Sequence, residues 1–323
     1  MSSRRKLPQR SHGVALISVM LVVVILLAVV SRLLIGHNLT INQNQNVYAG
    51  NQALQYVLGA ETLAREALLL DFENGGAEVD HLEEIWAQDV LPFELDEGGY
   101  VEAQVRDRHG CFNLNSVHGE GGKENLERMK RLLRNLNMLP TFADVWKDWI
   151  DEDEVISGAG AEDSEYLVSE IPHRTPNTLV TDTSELALLK NMTAEELERL
   201  LPEVCLLPVA ETSINVNTAG LHTLAALGKD SQPGALEGLI GNSRTYTSVD
   251  DFLQEFPDMT ESRDALSVVS EYFEVHAIAQ VGDSSATLQS LLHRDPSTGR
   301  VTVLSRNFGK LFRSKIVVEE EDA

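Results

Sequence analysis

One stretch decides how this chain is built: residues 11–36, SHGVALISVMLVVVILLAVVSRLLIG. Residues 14–31 carry no charge, and Arg32 can keep its guanidinium at the membrane surface while its aliphatic stem stays in lipid. At about 1.5 Å rise per residue, a helix of this length crosses the hydrocarbon core of a bilayer. The stretch therefore predicts a transmembrane helix over residues 14–36.

The residues before this helix predict its orientation. Arg4, Arg5, Lys6 and Arg10 lie within the first 13 residues, which contain no acidic residue. Because basic residues are retained on the cytoplasmic side, the N-terminus is expected in the cytoplasm and everything from about Asn38 outside it. The sequence thus predicts a single-pass inner-membrane protein with an exported C-terminal domain.

The start of the helix also suggests how the chain is processed. No A-x-A-like cleavage site ends the apolar run, which argues against an ordinary secretory signal peptide. Instead, a basic leader ends in Gly13 directly against the apolar residues. This arrangement resembles a prepilin leader (residues 1–13), which implies cleavage after Gly13, retention of the helix and N-methylation of Val14. A plain signal anchor joined to an unrelated domain is the alternative.

Helical patterning continues beyond the membrane. The segment GNQALQYVLGAETLAREALLL, residues 50–70, predicts one apolar stripe at helical spacing, formed by Ala53, Tyr56, Val57, Ala60, Leu63, Ala64 and Ala67. One long helix would therefore begin in the bilayer and pack against a soluble domain. This is the architecture of pilins.

The exported region alternates between strand and helix patterning. Strand structure is predicted in the segment 98–115, from the alternation through Tyr100, Val101, Ala103 and Val105, and again at 274–282, 286–294 and 299–307. Between them, helical patterning is clearest at residues 123–139, 142–150, 184–190, 194–201, 221–227, 249–256 and 262–273. The interpretation is an α+β protein: a pilin-like domain formed by residues 37–118 and 273–310, a helical domain inserted at 119–272, and an acidic tail at 311–323.

This order of elements, together with several local motifs, resembles the K-type minor pseudopilin of bacterial type II secretion along nearly the whole chain. The motifs are GCFNLN (110–115), DWIDEDEVISGAGAEDSEY (148–166), LLPEVCLLP (200–208) and SINVNTAG (213–220). The resemblance implies a pilin-like fold with a large all-α inserted domain and no catalytic residues. It implies a subunit at the pseudopilus tip that nucleates assembly and supports export of folded proteins across the outer membrane.

The resemblance also implies partners, and one residue bears on them. Expected partners are the I- and J-type minor pseudopilins, the major pseudopilin, prepilin peptidase and the inner membrane, with secreted substrates as a further candidate. Pilin-like proteins usually carry Glu at the fifth mature position, where it meets the terminal amine of a neighbouring subunit. Here that position is Ser18. The missing carboxylate predicts a subunit that accepts a neighbour on one side only.

Acidic residues dominate the exported region. The net charge is −24, which disfavours nucleic acid as a partner. Carboxylates crowd around two glycines in residues 148–166, and oxygen donors on a flexible loop suit calcium. With the resemblance, this predicts a calcium site whose ligands are drawn from Asp148, Asp151, Asp153, Glu162 and Asp163. A solvated acidic loop is the alternative.

The chain contains two cysteines, and its sequence leaves three rival functions open. Cys111 and Cys205 are the only cysteines, and in an exported protein they predict a disulfide, with two buried thiols as the alternative. The rival functions are a tip subunit of another type IV pilus-like machine, a membrane-tethered calcium-dependent hydrolase, and a receptor for secreted proteins. The nine histidines show no zinc-protease spacing, and no nucleophilic site is legible.

Overall fold

The computed structural model describes residues 12–76, 78–88, 92–96, 98–119, 121–229, 231–239 and 244–310. Most of the predicted leader and the whole predicted tail at 311–323 lie outside these ranges. Helix α1 spans His12–Asp71, 60 residues. Its N-terminal part is long and apolar enough to cross a membrane. Residues 16–37 are all exposed, so their apolar side chains have no protein core to enter and suit contact with lipid.

The remaining helices are short and follow one another in the middle of the chain. They are α2 (Gly122–Asn135), α3 (Phe142–Ile150), α4 (Asp163–Tyr166), α5 (Ala194–Leu200), α6 (Leu221–Leu227) and α7 (Val249–Glu255). 3-10 helices span Leu114–Val117, Thr183–Leu188, Pro233–Leu239 and Pro257–Ala265. A π-helical turn, Phe72–Gly76, ends α1.

The strands form one main sheet and two small pairs. They are β1 (Phe93–Glu94), β2 (Gly99–Asp107), β3 (Phe112–Asn113), β4 (Val204–Cys205), β5 (Ile214–Asn215), β6 (Leu266–Ser267), β7 (Tyr272–Val281), β8 (Ser284–Arg294) and β9 (Val301–Asn307). The main sheet has the order β1-β2-β7-β8-β9, and all its neighbours are antiparallel. The parallel pairs β3–β4 and β5–β6 belong to the inserted region.

The C-terminal half of α1 packs across one face of the main sheet, as the stripe predicted. Ala53 and Val57 are buried in one apolar cluster with alternate residues of β7 and with Leu288 of β8. Ala64 is buried in a second cluster with Val275 and Leu292. Leu63 is an exception, because it is exposed, and the buried face continues from Ala64 to Leu68. The long helix is therefore shared between the membrane and the soluble domain.

The inserted region has a core of its own, centred on Trp146 and Trp149. This core also contains Phe112, Leu114 and Val117, which precede the predicted start of the insertion at residue 119. The earlier start follows from topology: β2 ends at Asp107, and its neighbour β7 begins only at Tyr272, so the chain leaves the sheet directly after β2.

Two predicted helices have a different structure. The prediction of a helix over 262–273 is wrong: it is a 3-10 turn followed by β6 and the start of β7, because pairing with β5 and β2 overrides the local apolar spacing. Residues 184–190 form mainly the 3-10 helix Thr183–Leu188. Thr193 and Glu196 form a capping box at the start of α5, as the spacing Thr-x-x-Glu favours.

A candidate metal site and the family of the chain

Three carboxylates from two segments meet at the end of α3. Asp148 lies in the last turn of that helix, and its carboxylate is buried because this face of α3 packs into the core. Asp151 follows as the C-cap residue, after which the chain loops outward and returns at Glu162, the buried N-cap residue of α4. One oxygen of each of these three residues lies within 4.8 Å of the others.

The hydrogen bonds of the site leave several oxygens without partners. The backbone N–H of Ser157 donates to both carboxylate oxygens of Asp148 (3.1 Å each), and Lys147 Nζ donates to Asp151 Oδ2 (2.7 Å). Asp151 Oδ1 and both oxygens of Glu162 are buried and find no hydrogen-bond donor in the described part of the chain. A buried carboxylate with no donor costs several kcal/mol unless a cation or proton compensates it.

The charges of the site point in the same direction. Asp148, Asp151 and Glu162 carry three negative charges when ionised, and Lys147 supplies one positive charge. Burial, together with the neighbouring Asp148 and Asp151, raises the pKa of Glu162 to about 7, and burial also raises the pKa of Asp148. A divalent cation would neutralise the remaining charge and supply the missing partner of Glu162. These three residues therefore fit a hard cation such as calcium.

The loop between the two segments is shaped to approach Asp148 closely. A Cβ atom at Gly160 would lie 2.0 Å from Asp148 Oδ2, so no side chain fits at this position. Gly158 adopts a positive φ of 57°, in the left-handed region that glycine tolerates best. The two glycines that the sequence suggested as sources of flexibility thus allow the loop to close over the carboxylates.

Two of the five predicted ligands lie outside this three-carboxylate group. Asp153 is exposed, and its Oδ1 accepts a hydrogen bond from the N–H of Val155 (2.7 Å). Asp163 turns towards Arg174 (2.6 Å) and Thr175, whose backbone N–H (2.9 Å) lowers the pKa of Asp163. Both oxygens of Asp163 already have donors.

A second acidic group already contains a cation. Asp71, Asp80 and Glu84 bring their oxygens within 4.8 Å of one another, but the guanidinium of Arg294 lies among them and donates to Asp80 at 2.5 and 2.6 Å. This group therefore has its compensating charge within the chain.

The structure joins Cys111 and Cys205 in a disulfide, next to the parallel pair β3–β4. Ser18 is exposed on the membrane part of α1, and Gly13 and Val14 lie in the first turn of that helix.

Comparisons with known proteins agree with this architecture. Residues 110–209 match the family described as type II secretion system (T2SS), protein K. The chain is 35% identical to type II secretion system protein K of Pseudomonas aeruginosa over 93% of each chain, and 31% identical to that of Aeromonas hydrophila over 93% of this chain and 98% of the other. It resembles a chain of the GspK-GspI-GspJ complex from enterotoxigenic Escherichia coli with a TM-score of 0.72 and 28% identity, covering 84% of this chain and 99% of that one.

The chain belongs to the type II secretion system protein K family. It is a minor pseudopilin of that system, as the resemblance predicted, and another pilus-like machine is not favoured. Its apolar N-terminal helix and its place in this system make it a single-pass inner-membrane protein.

The structure also explains motifs whose roles the sequence left open. In GCFNLN, the buried Asn115 donates from Nδ2 to the carbonyls of Val180 and Leu207 (2.8 Å each), and Asn113 Oδ1 accepts from the N–H of Leu207 (3.1 Å). In SINVNTAG, the buried Asn215 and Asn217 bind residues of other segments in the same way. These amides fix the inserted region of this protein K family member. In the sequence, the sign of such a buried amide was an asparagine that follows an apolar residue.

Proposed function

We propose that this minor pseudopilin binds calcium through Asp148, Asp151 and Glu162 and sits at the tip of the pseudopilus. The calcium site is supported by the burial of Glu162, because neither of its carboxylate oxygens has a hydrogen-bond donor among the described residues. Bound calcium would hold the end of α3 to the start of α4, so its role would be structural rather than catalytic. Asp153 could reach the ion only if its exposed loop moved inward.

Calcium is expected to stabilise the inserted region. Free calcium at 100 times its dissociation constant would add about 2.7 kcal/mol to the free energy of unfolding, and the melting temperature should rise accordingly. The measurement is a thermal melt of the full chain in detergent, with calcium and with chelator. Glu162→Gln should abolish the increase, whereas Asp153→Asn, a matched change of an exposed acid, should retain most of it. A wild-type melt that calcium leaves unchanged would contradict the site.

The tip position is supported by the membrane helix and the size of the inserted region. Without a carboxylate at residue 18, the helix cannot pair with the terminal amine of a subunit above it, although its own amine can meet a carboxylate from below. We propose that the I- and J-type minor pseudopilins and the major pseudopilin bind from that side. The solved complex of a related chain with GspI and GspJ supports this choice of partners. The function is non-enzymatic, with the soluble part in the periplasm and secreted proteins as further candidate partners.

Processing by prepilin peptidase is expected to leave a chain that begins at Val14 and is methylated on its amine. Mass spectrometry of the protein from the native membrane would measure this end directly. Gly13→Leu should block cleavage and leave the full leader, whereas Gly36→Leu, a control at the far end of the apolar run, should not. An intact leader in the wild type, or a cut after Ser31, would overturn the assignment.

A further inference from the structure

Two loops beside the candidate metal site expose large apolar side chains to solvent. Val155, Val168 and Ile171 are 72%, 82% and 80% exposed, the highest values for large apolar residues among the described residues outside α1. Ile156 and Leu167 beside them are 48% and 43% exposed. Such concentration is unusual for a soluble surface and is typical of a binding site. We call Val155, Ile156, Leu167, Val168 and Ile171 the apolar loops.

Hydrogen bonds fix the backbone of the second loop, which carries Leu167, Val168 and Ile171. Ser169 Oγ lies 2.8 Å from the carbonyl oxygens of both Tyr166 and Ile171, and His173 Nδ1 lies 2.8 Å from the oxygen of Ile171. Tyr166 is itself buried against Trp149, with ring centroids 5.1 Å apart. Ser169 and His173 therefore bind carbonyl oxygens within the loop itself, and the side chains of Leu167, Val168 and Ile171 face water.

The candidate metal site connects the two apolar loops. Val155 and Ile156 lie between Asp151 and Ser157, whose N–H binds Asp148. The second loop begins directly after α4, whose N-cap residue is Glu162. A cation held by the three carboxylates would fix both loops at once. This step rests on the proposed calcium site.

Exposed acids surround the apolar loops and restrict what can bind there. They are Glu152, Asp153, Glu154 and Glu170, together with Glu165, which already pairs with Lys190 (2.9 Å). Acids at the rim repel anionic lipid surfaces and attract a partner with basic residues around its contact. Apolar residues at the centre would supply most of the affinity, because they lose water on binding.

We infer that the apolar loops form a docking surface for a protein segment that presents apolar side chains flanked by Lys and Arg. The occupant would place its apolar residues against the exposed side chains of the apolar loops and its basic residues against the acidic rim. The five exposed apolar residues would then be buried in the complex. Charge complementarity with the rim distinguishes this occupant from a membrane.

The test measures peptide binding by the full chain in nanodiscs of zwitterionic lipid with calcium present. The probes are a helical peptide of leucine and lysine, a leucine–glutamate peptide of the same spacing, and a serine–lysine peptide of the same charge. The leucine–lysine peptide should bind at least tenfold more tightly than either of the others, since it alone has both features. Equal binding of the serine–lysine peptide would overturn the inference, because bulk charge would then explain the affinity.

Matched variants locate the binding. Val168→Ser combined with Ile171→Ser should weaken the leucine–lysine peptide by about tenfold or more. Ile85→Ser, which alters another apolar residue that is 70% exposed, should leave the affinity unchanged. Equal affinities for wild type and the double variant would overturn the docking surface. Binding to anionic vesicles that the double variant loses would overturn it in favour of a membrane.

Calcium binding and peptide binding, each measured with and without chelator, test the calcium site and the docking surface separately. If calcium binds and the leucine–lysine peptide does not, the docking surface is wrong and the calcium site stands. If calcium fails to bind but the peptide binds and depends on Val168, the surface stands without control by a cation.

Discussion

Replacing Arg294 by Met is expected to lower the free energy of unfolding by about 3 to 5 kcal/mol, the usual cost of removing one partner from a buried ion pair. Arg294 lies at the end of β8, and its side chain is buried. Its Nη2 donates to both oxygens of Asp80 (2.6 and 2.5 Å) and to the carbonyl of Ser270 (2.9 Å). Without the guanidinium, Asp80 would stay buried with no counter-charge.

The position of this pair in the fold makes its loss severe. The guanidinium also lies 3.4 Å from Asp71 at the end of α1, and it packs over the rings of Phe72 and Phe273. Asp80 meanwhile accepts from the N–H of Ser270, just before β7. One side chain thus ties the end of the long helix to the point where the chain re-enters the sheet. Its removal should loosen both.

The effect should depend on pH in a defined direction. Burial raises the pKa of Asp80 to about 7 even with Arg294 beside it, and removing Arg294 would raise that pKa further. When the pKa of an acid is higher in the folded than in the unfolded protein, the free energy of unfolding falls as pH rises from the unfolded pKa, near 4, to the folded pKa. Arg294→Met should therefore cost less at pH 5 than at pH 8.

Urea unfolding of the full chain in detergent, followed by circular dichroism at both pH values, measures this. Arg300→Met is the matched control, because Arg300 is exposed in the turn between β8 and β9, and its loss should change stability by less than about 0.5 kcal/mol. Equal losses for the two variants, or a cost that is larger at pH 5, would show that Asp80 does not depend on Arg294.

How well each part of this fold can be predicted depends on how far apart in the sequence its interacting residues lie. In helix α1 and strands β7 to β9, apolar residues recur with the period of a helix or a strand, because one face of each element packs between α1 and the sheet. Asp80 and Arg294 are 214 residues apart in the sequence, so no local sequence pattern predicts their contact. Residues 262–273 carry helical spacing, but their pairing partners lie in β5 and β2, which the local pattern cannot reveal.

The candidate metal site shows the same division. The sequence located the acidic loop, because carboxylates crowd there around two glycines. It could not separate Asp148, Asp151 and Glu162 from Asp163, since all four are carboxylates within one segment. What separates them is the partner that each one meets: Asp163 finds Thr175 and Arg174, whereas Glu162 finds no donor within the described residues. That difference arises from tertiary structure.

Removing the disulfide by replacing Cys111 and Cys205 with Ala is expected to lower the free energy of unfolding by about 4 to 5 kcal/mol. The bond joins residues 94 positions apart, so its loss frees a long loop in the unfolded chain. It also lies beside β3–β4, a parallel pair of only two residues per strand, which has little pairing energy of its own. The inserted region should therefore loosen where it leaves the sheet.

Urea unfolding of wild type, Cys205→Ala and the double variant distinguishes the link from the packing of its sulfurs. Because either change breaks the bond, the single and double variants should lose nearly the same stability, and reductant should bring wild type down to their level. Two buried thiols would behave differently. The single variant would then lose about 1 kcal/mol for a shortened buried side chain, the double variant about twice that, and reductant would leave wild type unchanged. The disulfide assignment depends on which pattern appears.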